Sequence, residues 1–468
     1  MKTKITFIFL FLCLKMFSQN TFLPVLMSLS TVNEMVDPEF YPRGIQNTDR
    51  LASFFTKLKG LQNSQKGKVN IVHIGDSHIQ GDVMTAVCRN NLQKSFGNAG
   101  RGLVFPYTLA NTNGSPDVRF SSNVKWLNHR NILPLNGSPV GLSGIALTSK
   151  SKSLRLSMQV KNKDFFFTTL KVITPHNESL FERAGEIEKT VTIKTVPKKI
   201  VHTIKKGETL SVIAAHYNVS TAQIKKENKL SSTKITAGKK LKIPTTQTSE
   251  KSVVSNHYHS ALFEKESTCH FFESEKPLDR FVFLPNKEES LYALNGVVLE
   301  NNASGILYHN IGVNGAKYSD YNKYPLFFEQ LKALQPDLII VSLGTNESYG
   351  KITPLDYLRQ VQEFLLKVRT QNPEADVLIV TPPPSFLPHH RLNTFVDEYA
   401  KSLVSYAALG HYAVWDLFQT LGGMHGVSKI YGKGLMSPDR VHYTTNGYQL
   451  QGNMLSNVLL NAFKEFNK

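Results

Sequence analysis

Two stretches of this 468-residue chain alternate helical and strand patterns, and that rhythm restricts the fold more than any other feature. Near the N-terminus "TDRLASFFTKLKGL" has helical spacing with Thr48 placed as an N-cap. "VNIVHIG" is a continuous apolar run, and "DVMTAVCRNNLQKSFG" is helical again with Gly97 as its stop. After Asn310 the rhythm resumes: "PLFFEQLKAL", "DLIIVSLG", "LDYLRQVQEFLLKVRTQ", "DVLIVTPPP", "RLNTFVDEYAKSLVSYAALG" and "YAVWDLF" alternate helix and strand, and a last helix runs from about Thr445 to Phe466. Apolar strands separated by helices of this length specify an α/β fold, a three-layer parallel sheet with helices on both faces.

The middle has another texture. From about Ser115 to Thr174 and from about His257 to Val298, short runs such as "SGIALTS", "DFFFTTLKVI" and "RFVFLP" are split by Gly, Pro, Asn and Ser, which predicts an inserted antiparallel β domain. Between Lys198 and Lys242 eleven lysines face only Glu208 and Glu227, a surplus of nine and half of the chain's +18. The sequence there predicts strand, turn, helix, helix, strand, and the flanks "TVPKK" and "TTQTSEKS" read as linkers. Length alone predicts two or three domains.

Residues 1–19 read as a secretory signal: "MKTK" is basic, "ITFIFLFLCL" is apolar, and Ser18 is a small residue for cleavage. The apolar run is too short to span a membrane, and no later stretch approaches the roughly 18 apolar residues a spanning helix needs. The chain is thus expected to be exported, to the periplasm or cell surface. Cys13 as a lipid anchor is the rival, but Leu12 stands where a small residue is wanted. Removing Cys13 leaves Cys88 and Cys269, whose pairing stays open. In an exported protein the positive charge points to an anionic envelope rather than nucleic acid.

Four blocks carry the chemistry. "VNIVHIGDSHIQGD" puts Ser77 where a buried strand gives way to a helix, at the carboxyl edge of a parallel sheet where such folds bind ligands. "LYHNIGVNGAKYSD" places Gly315 in a loop, "VSLGTNES" ends a strand with Asn346, and "SPDRVHYTTNGY" sets Asp439 three residues before His442. Acyl transfer needs a nucleophile, a base, a group orienting the base, and donors for the developing oxyanion. Singly these residues are ordinary caps and turns; together they supply every part. His78 is excluded as base because neighbouring side chains rarely face each other, and Asp76 is assigned to bracing the turn. Gly422 and Gly423, with Trp415, are expected to shape the pocket wall. His257 with His259, and His389 with His390, lack a third ligand and are read as surface residues, so no metal is expected.

The basic segment, from Val201 to Pro244, resembles a LysM domain in "KKGETLSVIAAHYNVS", "IKKENKL" and "ITAGKKLKIP". The resemblance implies binding of N-acetylglucosamine-containing glycans between the turn Gly207, Glu208, Thr209, Leu210 and the loop from Asn228 to Ile235. The four blocks, in their order, resemble the SGNH or GDSL hydrolases, and "HIGDSHIQGD", "HNIGVNGA", "GTNES" and "DRVHYTTNGY" look closest to the branch containing peptidoglycan O-acetylesterases. That resemblance implies a flavodoxin-like core and the roles of nucleophile for Ser77, base for His442 and orienting carboxylate for Asp439. The oxyanion hole would come from the amides of Ser77 and Gly315 and the side chain of Asn346. Glu347 departs from the usual Gly-x-Asn-Asp block.

The implied organisation is a signal peptide over 1–19, hydrolase segments over 38–110 and 303–468, β-domain segments over 111–197 and 246–302, and LysM over 198–245. The implied function is an exported serine esterase that removes O-acetyl groups from peptidoglycan or a related wall glycan, without a cofactor. An O-acyltransferase using the same residues and a non-catalytic glycan-binding wall protein are the alternatives. Acyl group, sugar position, oligomeric state and the role of the β domain stay open in the sequence.

Overall fold

The computed structural model describes residues 43–133, 137–198, 200–245 and 248–468. The signal segment with Cys13, and the side chains of His257 and His259, lie outside it. Five parallel strands form the central sheet: β1 (Lys68–Gly75), β2 (Gly305–Gly312), β3 (Leu338–Ser342), β4 (Asp376–Val380) and β5 (Ala413–Trp415), in the order β2-β1-β3-β4-β5. This is the flavodoxin-like order, in which the carboxyl ends of the strands beside the first one line the ligand edge.

Five longer helices cover the sheet: α1 (Ala52–Ser64), α2 (Val83–Phe96), α3 (Pro354–Gln371), α4 (Thr394–Tyr406) and α5 (Thr445–Phe466). Side chains alternate across β1, so Val69 and Ile71 pack with Phe54, Phe55, Leu92 and Leu455 of α1, α2 and α5. Val72 and Ile74 face the other layer, with Val361, Phe364 and Leu403 of α3 and α4. Thr353 caps α3 by accepting from the Asp356 amide, with Pro354 at the first helical position. At α1 the expected cap differs: Thr48 lies inside a 3₁₀ turn, Thr48–Leu51, and Asn47 precedes it with φ +54°. Buried His73 ties three strands together, its Nδ1 2.7 Å from the Tyr308 hydroxyl and its Nε2 2.7 Å from Ser342 Oγ.

The segment between β1 and β2 forms two five-stranded sheets whose apolar faces share one cluster, including Leu156, Met158, Phe281 and Phe283 from one sheet and Leu170, Val172, Val297 and Leu299 from the other. Its strand Gly102–Val104 pairs with Gly296–Glu300, so this β unit starts inside the range read as the first hydrolase segment. The flanks read as linkers form paired backbone instead: Phe181–Pro197 runs antiparallel to Thr248–Ala261, with Pro197 opposite Thr248. The repeated Thr, Val and Ile of "KTVTIKTV" favour strand, which the polar composition had masked. At the tip Ile200–Thr203 pairs with Lys240–Ile243 around helices Leu210–His216 and Thr221–Asn228. Cys88 and Cys269 are buried and unbonded to each other.

A buried ion cluster joins the β unit to the sheet. Asp82 accepts from Thr85 Oγ1, from both Nη atoms of Arg89, from Arg101 Nη2 and from Asn310 Nδ2, and Arg101 also meets Asp117 at 3.2 Å. Burial pushes the Asp82 carboxyl up, but the Arg101 and Arg89 guanidiniums overcome it and hold it well below the usual carboxylate range. Removing that charge leaves buried Arg89 without its carboxylate and Arg101 with Asp117 alone. Asp82→Ala is therefore expected to lower unfolding free energy by about 3–5 kcal/mol, read from urea melts at neutral pH.

Candidate active site

Gly75 and Gly312 end adjacent strands and are paired in register. A Cβ on Gly75 would stand 2.8 Å from the Ser342 carbonyl, and one on Gly312 would stand 2.3 Å from the Gln80 amide. This close approach lets the short helix Ser77–Gln80 turn out of the sheet directly over its carboxyl edge. Asp76 caps that helix, its Oδ1 accepting from the His78 amide at 3.0 Å.

Ser77 meets a histidine carried from the far end of the chain: its Oγ lies 2.9 Å from His442 Nε2. His442 Nδ1 lies 2.7 Å from Asp439 Oδ2, while Asp439 Oδ1 accepts from the amides of Val441 and His442 at 3.0 Å each. Those bonds hold the carboxylate. Burial would raise the Asp439 pKa, yet the bonds from the His442 ring and the Val441 amide bring it down to about 2. Burial would likewise lower His442, but the bond and charge of Asp439 raise it above its ordinary value. The side chains of His442 and Asp439 are 43% and 51% exposed, so the group opens on the surface rather than into a closed chamber.

Gly315 sits beyond β2 with φ +85°. Among the described residues neither its amide nor that of Ser77 has a backbone or side-chain acceptor. Asn346 reaches the same edge but differs from the expected free donor: its Nδ2 donates to Asp76 Oδ2 at 2.9 Å and to the Ala316 carbonyl at 3.0 Å. It thus clamps the turn before Ser77 to the loop after Gly315. Asp76 does brace this turn, and burial pushes its carboxyl up to about 7 against the bond from the His78 amide. Glu347 is fully buried behind the loop, where its Oε1 accepts from the Tyr318 amide at 2.8 Å and burial raises it to about 8.

His78 is not oriented as a base. Its Nδ1 is 3.0 Å from the Tyr448 hydroxyl and its Nε2 3.3 Å from Thr345 Oγ1, and burial drives its pKa down to about 3. Trp415 is no pocket wall: it is fully buried in the α1/α2/α5 layer, its indole N–H donating to the Arg43 carbonyl. Gly422 and Gly423 turn the chain into the helix Gly423–Gly432. His389 and His390 are exposed in a 3₁₀ turn. Sequence reading missed Gln80, Thr112, Asn113 and Tyr448, although Gln80 stands inside the quoted block of Ser77.

In the basic module, Leu210 belongs to the core with Ile213, Ile224, Leu241 and Ile243, and Ile235 packs against it. Thr209 caps the first helix. Glu208 accepts from the Lys205 amide at 2.7 Å and lies 2.8 Å from His202 Nε2. The Asn228 amide bonds the Ile224 carbonyl and both backbone groups of Lys242. Leu210, Glu208 and Asn228 therefore hold the module together, and Gly207, with φ +88°, makes the turn. All its described lysines except Lys225 are exposed.

Residues 289–450 match the GDSL-like lipase/acylhydrolase family, and residues 202–244 match the LysM domain. The chain carries a GDSL-like lipase/acylhydrolase domain and a LysM domain. The first match contains Gly315, Asn346, Asp439 and His442; Ser77 lies before it, across the insertion. No curated protein matches the chain. Among solved structures, one described as "Peptidoglycan O-acetylesterase in action, 5 min" aligns with TM-score 0.59 at 20% identity, covering 88% of this chain and 96% of its own. That extent shows a shared fold reaching beyond the parallel sheet. The lipase/acylhydrolase from Enterococcus faecalis aligns with TM-score 0.28 at 18% identity, covering 34% of this chain and 77% of its own.

The His442 environment gives a direct test. By NMR its ring is expected to titrate above 6.5, and Asp439→Asn, which leaves only the charge of Asp76 against burial, should lower that pKa.

Proposed function

We propose that this protein is an exported serine esterase that removes O-acetyl groups from peptidoglycan or a related wall glycan, held on that glycan by its LysM module. The observation that carries the chemistry is the unbroken contact series Ser77–His442–Asp439 at the carboxyl edge of the sheet.

His442 Nε2 takes the Ser77 proton as Oγ attacks the acetyl carbonyl, and Asp439 stabilises the imidazolium. The carbonyl oxygen becomes an oxyanion beside the free amides of Ser77 and Gly315, with Asn346 as a third donor once it gives up one of its present bonds. Collapse breaks the ester C–O bond while His442 returns its proton to the sugar oxygen, leaving acetyl-Ser77. Water, deprotonated by His442, then releases acetate and restores Ser77. The resting reaction needs neutral His442, so turnover rises with pH as the ring loses its proton above 6.5.

The substrate reading has two supports. The exposed triad admits an ester on an extended polymer, which a closed chamber would exclude. The LysM domain and the fold shared with a peptidoglycan O-acetylesterase point to the same glycan. The exposed lysines favour approach to an anionic wall.

Ser77→Ala and His442→Ala should each lower kcat on a small acetyl ester by about 10⁴-fold or more, with little change in Tm. Acetate release from O-acetylated peptidoglycan checks the natural acceptor, and a Ser77→Ala protein retaining a tenth of wild-type turnover would sink the assignment.

Because Pro197 and Thr248 face each other as strand partners, replacing residues 198–247 with Asn-Gly can close the hairpin without the module. That deletion should keep turnover of a soluble ester and lose retention on insoluble peptidoglycan. Undiminished retention would assign anchoring to the rest of the chain.

A further inference from the structure

One polar contact runs from the inserted β unit into the loop that carries Gly315. Gln80, three residues after Ser77, is 1% exposed. Its Oε1 accepts from the Asn314 amide at 2.7 Å. Its Nε2 lies within hydrogen-bond distance of Thr112 Oγ1 at 2.8 Å, the Asn113 carbonyl at 2.7 Å and Asn113 Oδ1 at 2.9 Å. Asn314 closes the ring, its Nδ2 donating to Asn113 Oδ1 at 2.8 Å.

Thr112 and Asn113 are themselves fixed. The Thr112 amide donates to the Tyr107 carbonyl at 3.1 Å, and Arg130 Nη2, from the strand Leu127–Arg130, donates to the Ala110 carbonyl at 2.9 Å. Gly315, by contrast, has open space around it: only Ile132 Cδ1 comes within 4 Å of where its Cβ would be. Its N–H belongs to the peptide plane shared with Asn314. Gln80 and Asn113 hold the backbone N–H and side chain of Asn314 on one side of that plane, and the Ala316 amide, donating to the Val313 carbonyl at 3.0 Å, closes the turn around it, so the two together set the direction in which that N–H points.

We propose that the inserted β unit positions the oxyanion donor of Gly315, acting through Asn113 and Gln80 on Asn314. This rests on the esterase reading above. An oxyanion donor is effective because it is oriented before the charge forms, so Gln80 and Asn113 are positioning residues that touch neither substrate nor reacting atoms.

The test uses p-nitrophenyl acetate, an ester too small to gain from a glycan contact on the β unit. Asn113 is an exposed loop residue, so its variants should fold. Asn113→Ala should lower kcat about 10-fold with KM within about twofold, and Gln80→Ala about 100-fold, the scale expected for a reacting group displaced by a fraction of an ångström to about 1 Å. The double variant should be no slower than Gln80→Ala, since both act along one line. Asn113→Asp keeps the acceptor Oδ1 and should restore kcat to within about threefold of wild type, whereas an Asn113 acting through its NH₂ would not be rescued. Wild-type kcat in Asn113→Ala, or multiplied losses in the double variant, would overturn the proposal. Turnover surviving in Ser77→Ala would instead remove the esterase reading itself.

Discussion

The parallel pairing of β1 with β2 is the contact on which the rest of the molecule depends. Ser77 follows the last residue pair of that ladder on one strand, and Gly315 follows it on the other. Between those strands the chain makes the entire β unit and the LysM module before returning to its neighbour. Loop-closure entropy grows only slowly with length, so an excursion of this size is tolerated if the returning strand finds its register. Gly75 and Gly312 let the helix starting at Ser77 lie close over the two strand ends, and buried Asp82 gathers Arg89 on α2, Arg101 at the entry to the insert and Asn310 on β2. One carboxylate thus references three segments to one another.

The parts legible in the sequence are those whose determinants are local. Strand and helix periodicity fixed the central sheet, and three-residue spacing was enough to place Asp439 against His442, because one turn of backbone spans it. Ser77 at a strand end is ordinary by itself, and it was the order of the companion blocks that set it beside His442, where the structure has it. What escaped depends on partners far along the chain. The two donor bonds of Asn346 go to Asp76 and Ala316, and no periodicity announces them. Asn113 meets Gln80 only because the β unit folds back. Apolar or β-prone residues misled in the opposite direction: Trp415 and Leu210 look like binding surface and are core, and the Thr-rich flanks of the module look like linkers and are paired strand.

Two histidines in this site show how far environment outweighs residue type. The rings of His78 and His442 are 5.5 Å apart, yet one is pushed down to about 3 and the other is raised. Burial lowers both. His78 is the more deeply buried and is lowered further by the charge of His442, and the partners differ too: His442 has a carboxylate at 2.7 Å, while His78 has neutral hydroxyls from Tyr448 and Thr345. A neutral His78 beside His442 adds no positive charge to compete with the imidazolium of the proposed reaction. Burial acts the opposite way on the carboxyls at this edge, raising Asp76 to about 7 and Glu347 to about 8.

These local features bear on why a surface-open triad would be coupled to a glycan-binding module. An exposed site gains little binding energy from enclosing its substrate, so retention has to come from elsewhere. In the proposed function a module on a paired hairpin supplies it by raising the local concentration of ester, without adding any contact at the reacting carbonyl. Such binding is uniform between ground state and transition state and leaves the chemical step unchanged. In the proposed reaction the rate then rests on preorganisation of Ser77, His442 and Asp439 and of the oxyanion donors. On the two proposals together, affinity belongs to the outer half of the insertion and, through Thr112 and Asn113, orientation to its inner half.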